Sequence, residues 1–272
     1  MAMAMKIWVN EQPEEVTTKT SLRQLRDWVM PGADILIRNG FLETADPLLK
    51  DGDRVVFIRR GEIPSAEELE MLLVARHTPG VHKKIKTAKV GIAGIGGLGS
   101  TIAIALARSG VGQLIIADFD IVEPSNLNRQ QYFVDQIWKP KVEALCQTIA
   151  RINPYVSVMA HQVRLKSNNI PILFAEVDVM VEAFDSAEQK ALLTEAFRSH
   201  FPEKPLVVAS GVAGYGSAND IRTRQVFTNL HMVGDEVTAA APGTGLMAPL
   251  VGVAAHHQAN AVLRLLLQLS PT

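Results

Sequence analysis

Lys89-Val90-Gly91-Ile92-Ala93-Gly94-Ile95-Gly96-Gly97-Leu98-Gly99-Ser100 is the stretch that decides the fold. Its first five residues predict a buried strand, and the alanine-rich run Thr101 to Ser109 predicts the helix that follows. Gly94, Gly96 and Gly99 keep the G-x-G-x-x-G spacing in the strand–turn–helix context it requires. The first glycine makes the tight turn, the second lets phosphate approach the backbone, and the third lets the helix pack on the strand. The helix N-terminus then offers unpaired N–H groups and the positive end of its dipole to an anion. Asp118 lies about 20 residues on, closing the next strand, Gln113 to Ala117, where a carboxylate can accept from ribose hydroxyls. The spacing points to a nucleotide and does not separate NAD from ATP.

Strand and helix signals keep alternating downstream. A helix is expected from Lys141 to Asn153, strands at Val156 to Ala160 and Val177 to Ala183, a helix over Ala187 to Ser199 and a strand at Leu206 to Ala209. Ala248 to Gln268 reads as one long apolar helix. Such alternation predicts an α/β fold with a mainly parallel sheet covered on both faces. Upstream the signals are shorter. Lys6 to Asn10 and Glu15 to Lys19 read as strands, Ser21 caps a helix carrying Leu22, Leu25, Trp28 and Val29, and Ile35 to Ile37 and Arg54 to Ile58 are strands. That β-β-α-β-β order describes a small α+β domain over residues 1–61. A helical linker, with Ser65 as its cap, is expected over 62–80, and the larger domain over 81–272.

Composition bounds the class. The 272 residues are 47% apolar and 20% charged, with a formal net charge of −1. There is no basic excess of the kind that serves nucleic acid. No apolar run approaches the roughly 20 residues of a membrane span. The start, Met1 to Met5, has no apolar core or cleavage pattern of a signal peptide. The one cysteine, Cys146, excludes an internal disulfide and a cysteine-built zinc site, and fits a reducing, cytoplasmic setting. It falls with Val142, Leu145 and Ile149 on one helical face, which places it in packing.

After Asp118 the chain reads Asp118-Phe119-Asp120-Ile121-Val122-Glu123-Pro124-Ser125-Asn126-Leu127-Asn128-Arg129-Gln130, a polar run that a nicotinamide enzyme does not need. Together with Gly94-x-Gly96-Gly97-Leu98-Gly99, this run resembles the signature of the E1-like ThiF/MoeB/HesA superfamily. Lys139-Pro140-Lys141, Arg151-Ile152-Asn153-Pro154, Glu182-Ala183-Phe184-Asp185-Ser186 and Met247-Ala248-Pro249-Leu250 continue the resemblance over residues 76–272. Ala209-Ser210-Gly211-Val212-Ala213-Gly214-Tyr215-Gly216 looks most like the short ThiF subgroup, and residues 1–61 resemble a β-grasp, ubiquitin-like sulfur carrier of the ThiS type.

The resemblance implies ATP-dependent adenylation of the C-terminal glycine carboxylate of a ThiS-like sulfur-carrier protein, in thiamin thiazole synthesis. A different ubiquitin-like carrier, for molybdopterin or cysteine, and a binding module with a degenerate ubiquitin-like head are the alternatives. By the same resemblance Arg129 and Lys141 hold the phosphates and Asp185 is the Mg2+ ligand. Asn126, Gln130, Asp118 and the glycines, Gly97 included, contact the nucleotide, and Arg76 reaches the phosphates of a partner subunit in a homodimer. The Cys-x-x-Cys zinc pairs of many relatives have no counterpart, so no structural zinc is expected and a separate protein is expected to donate sulfur. Trp138 stands where relatives often carry glycine. His256 and His257 are read as packing or interface residues rather than ligands. The ubiquitin-like segment runs Ile58-Arg59-Arg60-Gly61-Glu62 into the linker without Gly-Gly or a chain end, which makes it a docking, regulatory or dimer-forming module.

Overall fold

The computed structural model describes residues 3–10, 12–61 and 81–271. The chain forms two units, divided between His82 and Lys83.

The first unit has strands β1 (Ala4–Val9), β2 (Gln12–Thr17), β3 (Ile35–Arg38), β4 (Phe41–Leu42) and β5 (Arg54–Ile58), with helix α1 (Leu22–Val29). The sheet order is β2-β1-β5-β3-β4, and the central pair β1–β5 is parallel while its other pairs are antiparallel. This is the β-grasp arrangement: a helix crosses one face of a sheet whose first and last strands lie side by side. Alternation does the sorting, because successive strand residues face opposite sides. Ile7, Val9, Val55, Phe57 and Leu36 close on Leu22 and Leu25 of α1. Ser21 caps α1 in a full capping box with Gln24.

One buried carboxylate pins the turn into β5. Asp53, 5% exposed, accepts from Arg38 Nε at 2.8 Å, Asn39 Nδ2 at 2.9 Å and the Lys50 N–H at 2.8 Å. Burial opposes its ionisation, but the Lys50 amide, Asn39 and the Arg38 guanidinium outweigh burial and hold the carboxyl below its ordinary range.

The second unit is built on a seven-stranded sheet of order β11-β12-β10-β9-β6-β7-β8. The strands are β6 (Lys89–Ala93), β7 (Gln113–Asp118), β8 (Ser157–Gln162), β9 (Val179–Glu182), β10 (Leu206–Ala209), β11 (Arg222–Phe227) and β12 (Leu230–Gly234). All neighbours are parallel except the β11–β12 hairpin. The helices are α2 (Val81–Lys86), which spans the division between the units, α3 (Gly97–Arg108), α4 (Lys141–Ile152), α5 (Ile170–Leu173), α6 (Ala187–His200) and α7 (Ala248–Leu266). Helices α5 and α6 cover one face, where Phe174, just past α5, and Leu193 and Phe197 of α6 pack with Ile115, Met180, Leu206 and Val208. On the other face α7 lies along α3 and reaches β9 and β10, with α4 beside α3. The sheet winds outward from β6 through β7 to β8, then restarts at β9 on the other side of β6. The C-terminal ends of β6 and β9 therefore flank the switch point, the place where such sheets bind ligands.

Three expectations shift. Helix α3 begins at Gly97 rather than Thr101, and the β11–β12 hairpin and the two-residue β4 add strands not read from the sequence. Helix α7 buries Leu250, Val251, Ala254, Ala255, Gln258, Ala259, Ala261 and Val262, while Leu263, Leu265 and Leu266 are half-buried, so its apolar girdle is only partly covered within this chain. The expected 62–80 linker, with its Ser65 cap, lies outside the described residues.

Candidate nucleotide site

A cleft of about 610 Å³ opens at the switch point. The glycine turn forms its floor. Gly94 has φ +80, and a Cβ there would come within 2.9 Å of the Phe184 ring and 3.1 Å of the Ala183 oxygen. At Gly99 a Cβ would sit 1.9 Å from the Gly94 oxygen, so only glycine lets α3 approach the turn this closely. Gly96 is the N-cap of α3, and no side chain caps it. The first-turn N–H groups of α3 are thus left for a ligand, which suits an anion.

Two side chains fix this turn from outside. Asp118 Oδ2 accepts from the Ile95 N–H at 2.9 Å, and the Tyr132 hydroxyl donates to the Ile95 carbonyl at 2.8 Å. Burial first, then the nearby carboxylates of Asp118 and Asp120, drive the Tyr132 phenol far above its ordinary range, so it stays a donor. The other oxygen of Asp118 accepts from the Asp120 N–H at 2.9 Å. Asp118 therefore supports the turn, and each oxygen keeps a second lone pair for a hydroxyl.

The positive charge comes from the segment after β7. Arg129 and Lys141 both line the cleft. Lys141 opens α4 directly after Pro140, and its side chain is only 7% exposed. Its Nζ donates to Asp120 Oδ2 at 3.0 Å. Arg129 Nη1 donates to Asn128 Oδ1 at 2.9 Å, and its stem runs beside Gly97. Gln130 is buried at the cleft wall, and its Oε1 has no hydrogen-bond partner. An orphaned polar atom on a cleft wall fits a site completed by a polar ligand.

Asp185 ends the loop after β9, exposed and lining the cleft, with no hydrogen bond or ion pair among the described residues. Beneath it lies a buried ion pair. Lys190 Nζ reaches both oxygens of Glu182 at 3.0 Å and the Ala209 carbonyl at 2.9 Å. Glu182 Oε1 also accepts from the Phe184 N–H at 2.7 Å. This pair ties the ends of β9 and β10 together under the loop that carries Asp185. Among the described residues no cluster of three His, Cys, Asp or Glu could cage a metal. A magnesium ion brought in on phosphates needs only one free carboxylate and water, and Asp185 fits that need.

The wall opposite the glycine turn is made by the loops after β10 and β12. Glu236 donates its N–H to the Ser210 carbonyl at 3.1 Å, Asp235 to Gly211 at 3.0 Å, and Gly214 to Gly245 at 2.8 Å.

The fold thus brings Gly94, Gly96, Gly97, Asp118, Gln130, Arg129, Lys141 and Asp185 to one cleft. Gly99 acts from below by close packing. Asn126 does not line the cleft: it is buried, and its Oδ1 accepts from the Glu123 N–H at 3.0 Å within the short 3-10 turn Pro124–Asn128. Arg76 lies outside the described residues. Asp120, Tyr132, Glu182 and Lys190 were not assigned from sequence. Asp120 and Glu182 sit inside recognisable motifs, but nothing in a linear pattern says which cation each one holds. Trp138 has φ +72 and is 66% exposed, so its backbone is left-handed, a conformation that favours glycine.

A doubly wound sheet, an uncapped glycine turn at its switch point and two cations opposite a free carboxylate define an E1-like nucleotide-binding unit. Residues 70–272 match the ThiF family model, and the chain belongs to the ThiF family. Residues 5–61 match the ThiS-like ubiquitin model. The chain is 31% identical to the molybdopterin-synthase adenylyltransferase of Salmonella typhimurium over 186 residues, covering 67% of this chain and 74% of that protein. It is also 31% identical to the sulfur carrier protein ThiS adenylyltransferase of Escherichia coli over 189 residues, covering 68% and 74%. The E. coli tRNA N6-threonylcarbamoyladenosine dehydratase TcdA, solved in complex with AMP, shares the fold with a TM-score of 0.68 at 21% identity, over 76% of this chain and 98% of that one. The expected class, adenylyltransferase, is that of the curated relatives.

Proposed function

We propose that this protein adenylates the C-terminal carboxylate of a ThiS-like sulfur carrier at the expense of ATP. The observation that carries this reading is the meeting of Arg129, Lys141, Asp185 and the uncapped start of α3 in one cleft. A carrier carboxylate oxygen attacks the α-phosphorus, the bond from that phosphorus to the bridging oxygen breaks, and pyrophosphate leaves. Both reactants are anions, so fixed positive charge must be in place before they meet. Arg129 and Lys141 supply it, with the helix dipole of α3. Asp118 accepts from the ribose. Asp185 would hold magnesium, which neutralises phosphate charge when bound.

Thiamin thiazole synthesis is the pathway we favour, on the short ThiF-like wording of residues 209–216. Equal identity to a molybdopterin-synthase adenylyltransferase supports the second carrier class. ATP–pyrophosphate exchange with a panel of Gly-Gly carriers tests both. Exchange with a ThiS-type carrier is expected, exchange with a molybdopterin-type carrier alone moves the protein to that pathway, and tight NAD binding without exchange overturns the adenylation reading. We read the ubiquitin-like unit, whose last strand runs on into the chain, as a docking, regulatory or dimer-forming module. We read the active form as a homodimer in which Arg76 completes the partner's phosphate site. Mixing Arg76→Ala and Asp185→Ala chains should restore activity, since one site in each mixed dimer is then intact; no recovery despite proven subunit exchange removes Arg76 from a role in trans.

A further inference from the structure

The Glu182–Lys190 pair beneath Asp185 has no part in any role given above. Lys190 lies near the start of α6, lines the cleft and is only half-buried, so a direct bond to phosphate is the obvious use for its charge. Its hydrogen bonds leave no donor for that use. An ammonium has three N–H groups. Glu182 Oε1, Glu182 Oε2 and the Ala209 carbonyl, at 3.0, 3.0 and 2.9 Å, take all three. Glu182 is equally committed. It is fully buried, and beside Lys190 its Oε1 accepts from the Phe184 N–H at 2.7 Å and its Oε2 from the Ala209 N–H at 3.3 Å. The four acceptor positions of a carboxylate are thereby filled. From the other face of the sheet, Gln258 Nε2 of α7 donates to the Glu182 carbonyl at 3.0 Å. A buried polar network with every member satisfied is rigid.

What this network holds is backbone. The Phe184 N–H belongs to the residue just before Asp185, and Ala209 leads into the loop at Ser210 to Gly214 on the opposite wall. The segment before Asp185 also presses on the glycine turn. The Phe184 ring and the Ala183 carbonyl leave no room for a Cβ at Gly94, and the Ala183 methyl lies beside Gly99. A segment wedged against the turn on one side and bonded to Glu182 on the other has one place to stand. We propose that Lys190, acting through Glu182, is a positioning residue: it fixes the Phe184–Asp185 segment against the glycine turn, and so sets how strongly magnesium tightens nucleotide binding. This rests on the reading of Asp185 as the magnesium ligand and names what holds that carboxylate in place.

Calorimetric titration of the full chain with ATP, with and without magnesium, tests it, and the ratio of the two affinities is the magnesium gain. Lys190→Met alone strands a buried carboxylate and endangers the fold. Glu182→Leu together with Lys190→Met removes both charges, a replacement that is often neutral for stability, and leaves the Phe184 and Ala209 amides unheld. This double variant should lose about tenfold in magnesium gain, the lower end of the range for groups that hold a metal ligand in place, with magnesium-free ATP binding near the wild-type value. Lys190→Arg keeps the charge opposite Glu182 and should keep the wild-type gain. An undiminished gain in the double variant overturns the proposal. Equal losses of ATP affinity with and without magnesium do the same, because the pair then acts on the whole cleft. A loss in Lys190→Arg as large as in the double variant also overturns it. Asp185→Ala separates the proposal from the reading beneath it. It should abolish the gain; a gain that survives there sinks the magnesium reading of Asp185 and the proposal with it, whereas a gain lost there but kept in the double variant sinks the proposal alone.

Discussion

Lys141 is locked to Asp120 by an ion pair of 3.0 Å at the start of α4, with the lysine side chain almost wholly buried. A lysine held in this way presents its charge at one place, so little order has to be imposed when the phosphates arrive. Asp120→Asn keeps the shape and removes the anchor charge. We expect the KM for ATP in pyrophosphate exchange to rise about tenfold, the scale of one charged hydrogen bond, with a smaller change in kcat. An unchanged KM would mean that packing alone positions Lys141.

Arg129 and Asp185 meet charge that develops as pyrophosphate leaves. Arg129→Ala and Asp185→Ala should each slow exchange by about 100-fold or more, the usual loss when one such group is removed. Both chains should melt like wild type, because Asp185 is exposed and Arg129 only half-buried. Near-normal turnover in either variant removes that residue from the chemistry.

Cys146 is half-buried, and burial, followed by the Glu143 charge, pushes its thiol above the ordinary range. It is therefore protonated at neutral pH and a poor nucleophile. Cys146→Ala should retain full exchange activity, and mass spectrometry should find no carrier bound to Cys146 through sulfur. Trapping such a species would overturn this.

Trp138 occupies a left-handed backbone conformation that disfavours any residue with a Cβ. Trp138→Gly should stabilise the larger unit by about 1 kcal/mol, seen as a higher denaturant midpoint at constant slope. A lower midpoint would show that contacts of the indole outweigh the strain.

Asp53 gives the ubiquitin-like unit a pH dependence of known sign. Its folded pKa lies below the unfolded one, so the stabilisation is complete above about pH 5 and is lost as pH falls through 4 and below. Asp53→Asn should cost about 2 kcal/mol at pH 7, because Arg38 is left without its partner. Amide exchange in β1 and β5 should report this loss, and the gap from wild type should close only when pH falls below the lowered folded pKa of Asp53.

The sequence carried the frame of the site well and its inner ties poorly. The strand Lys89 to Ala93 and the glycine turn were legible because periodicity and turn chemistry agree there. The start of α3 was not, since glycines at its first turn have low helix propensity and are kept for packing against Gly94. Strand β11 escaped because Arg222 to Phe227 is a largely exposed edge with little apolar signal. Asn126 was read as a nucleotide contact because motifs give position, whereas its buried bond to Glu123 depends on how the 3-10 turn closes. Pairings such as Glu182 with Lys190 and Arg164 with Phe119 join residues on different elements, or across a strand end, and no linear pattern announces them.

The backbone bonds between the loop at Ser210 to Gly214 and the loop at Asp235 to Gly245 have a mechanical consequence. Neither loop can swing away alone. Parting them breaks three bonds together, a net cost of about 3 kcal/mol, so fewer than about one molecule in a hundred is open on that side at any moment. That side acts as a fixed jamb for whatever the cleft receives.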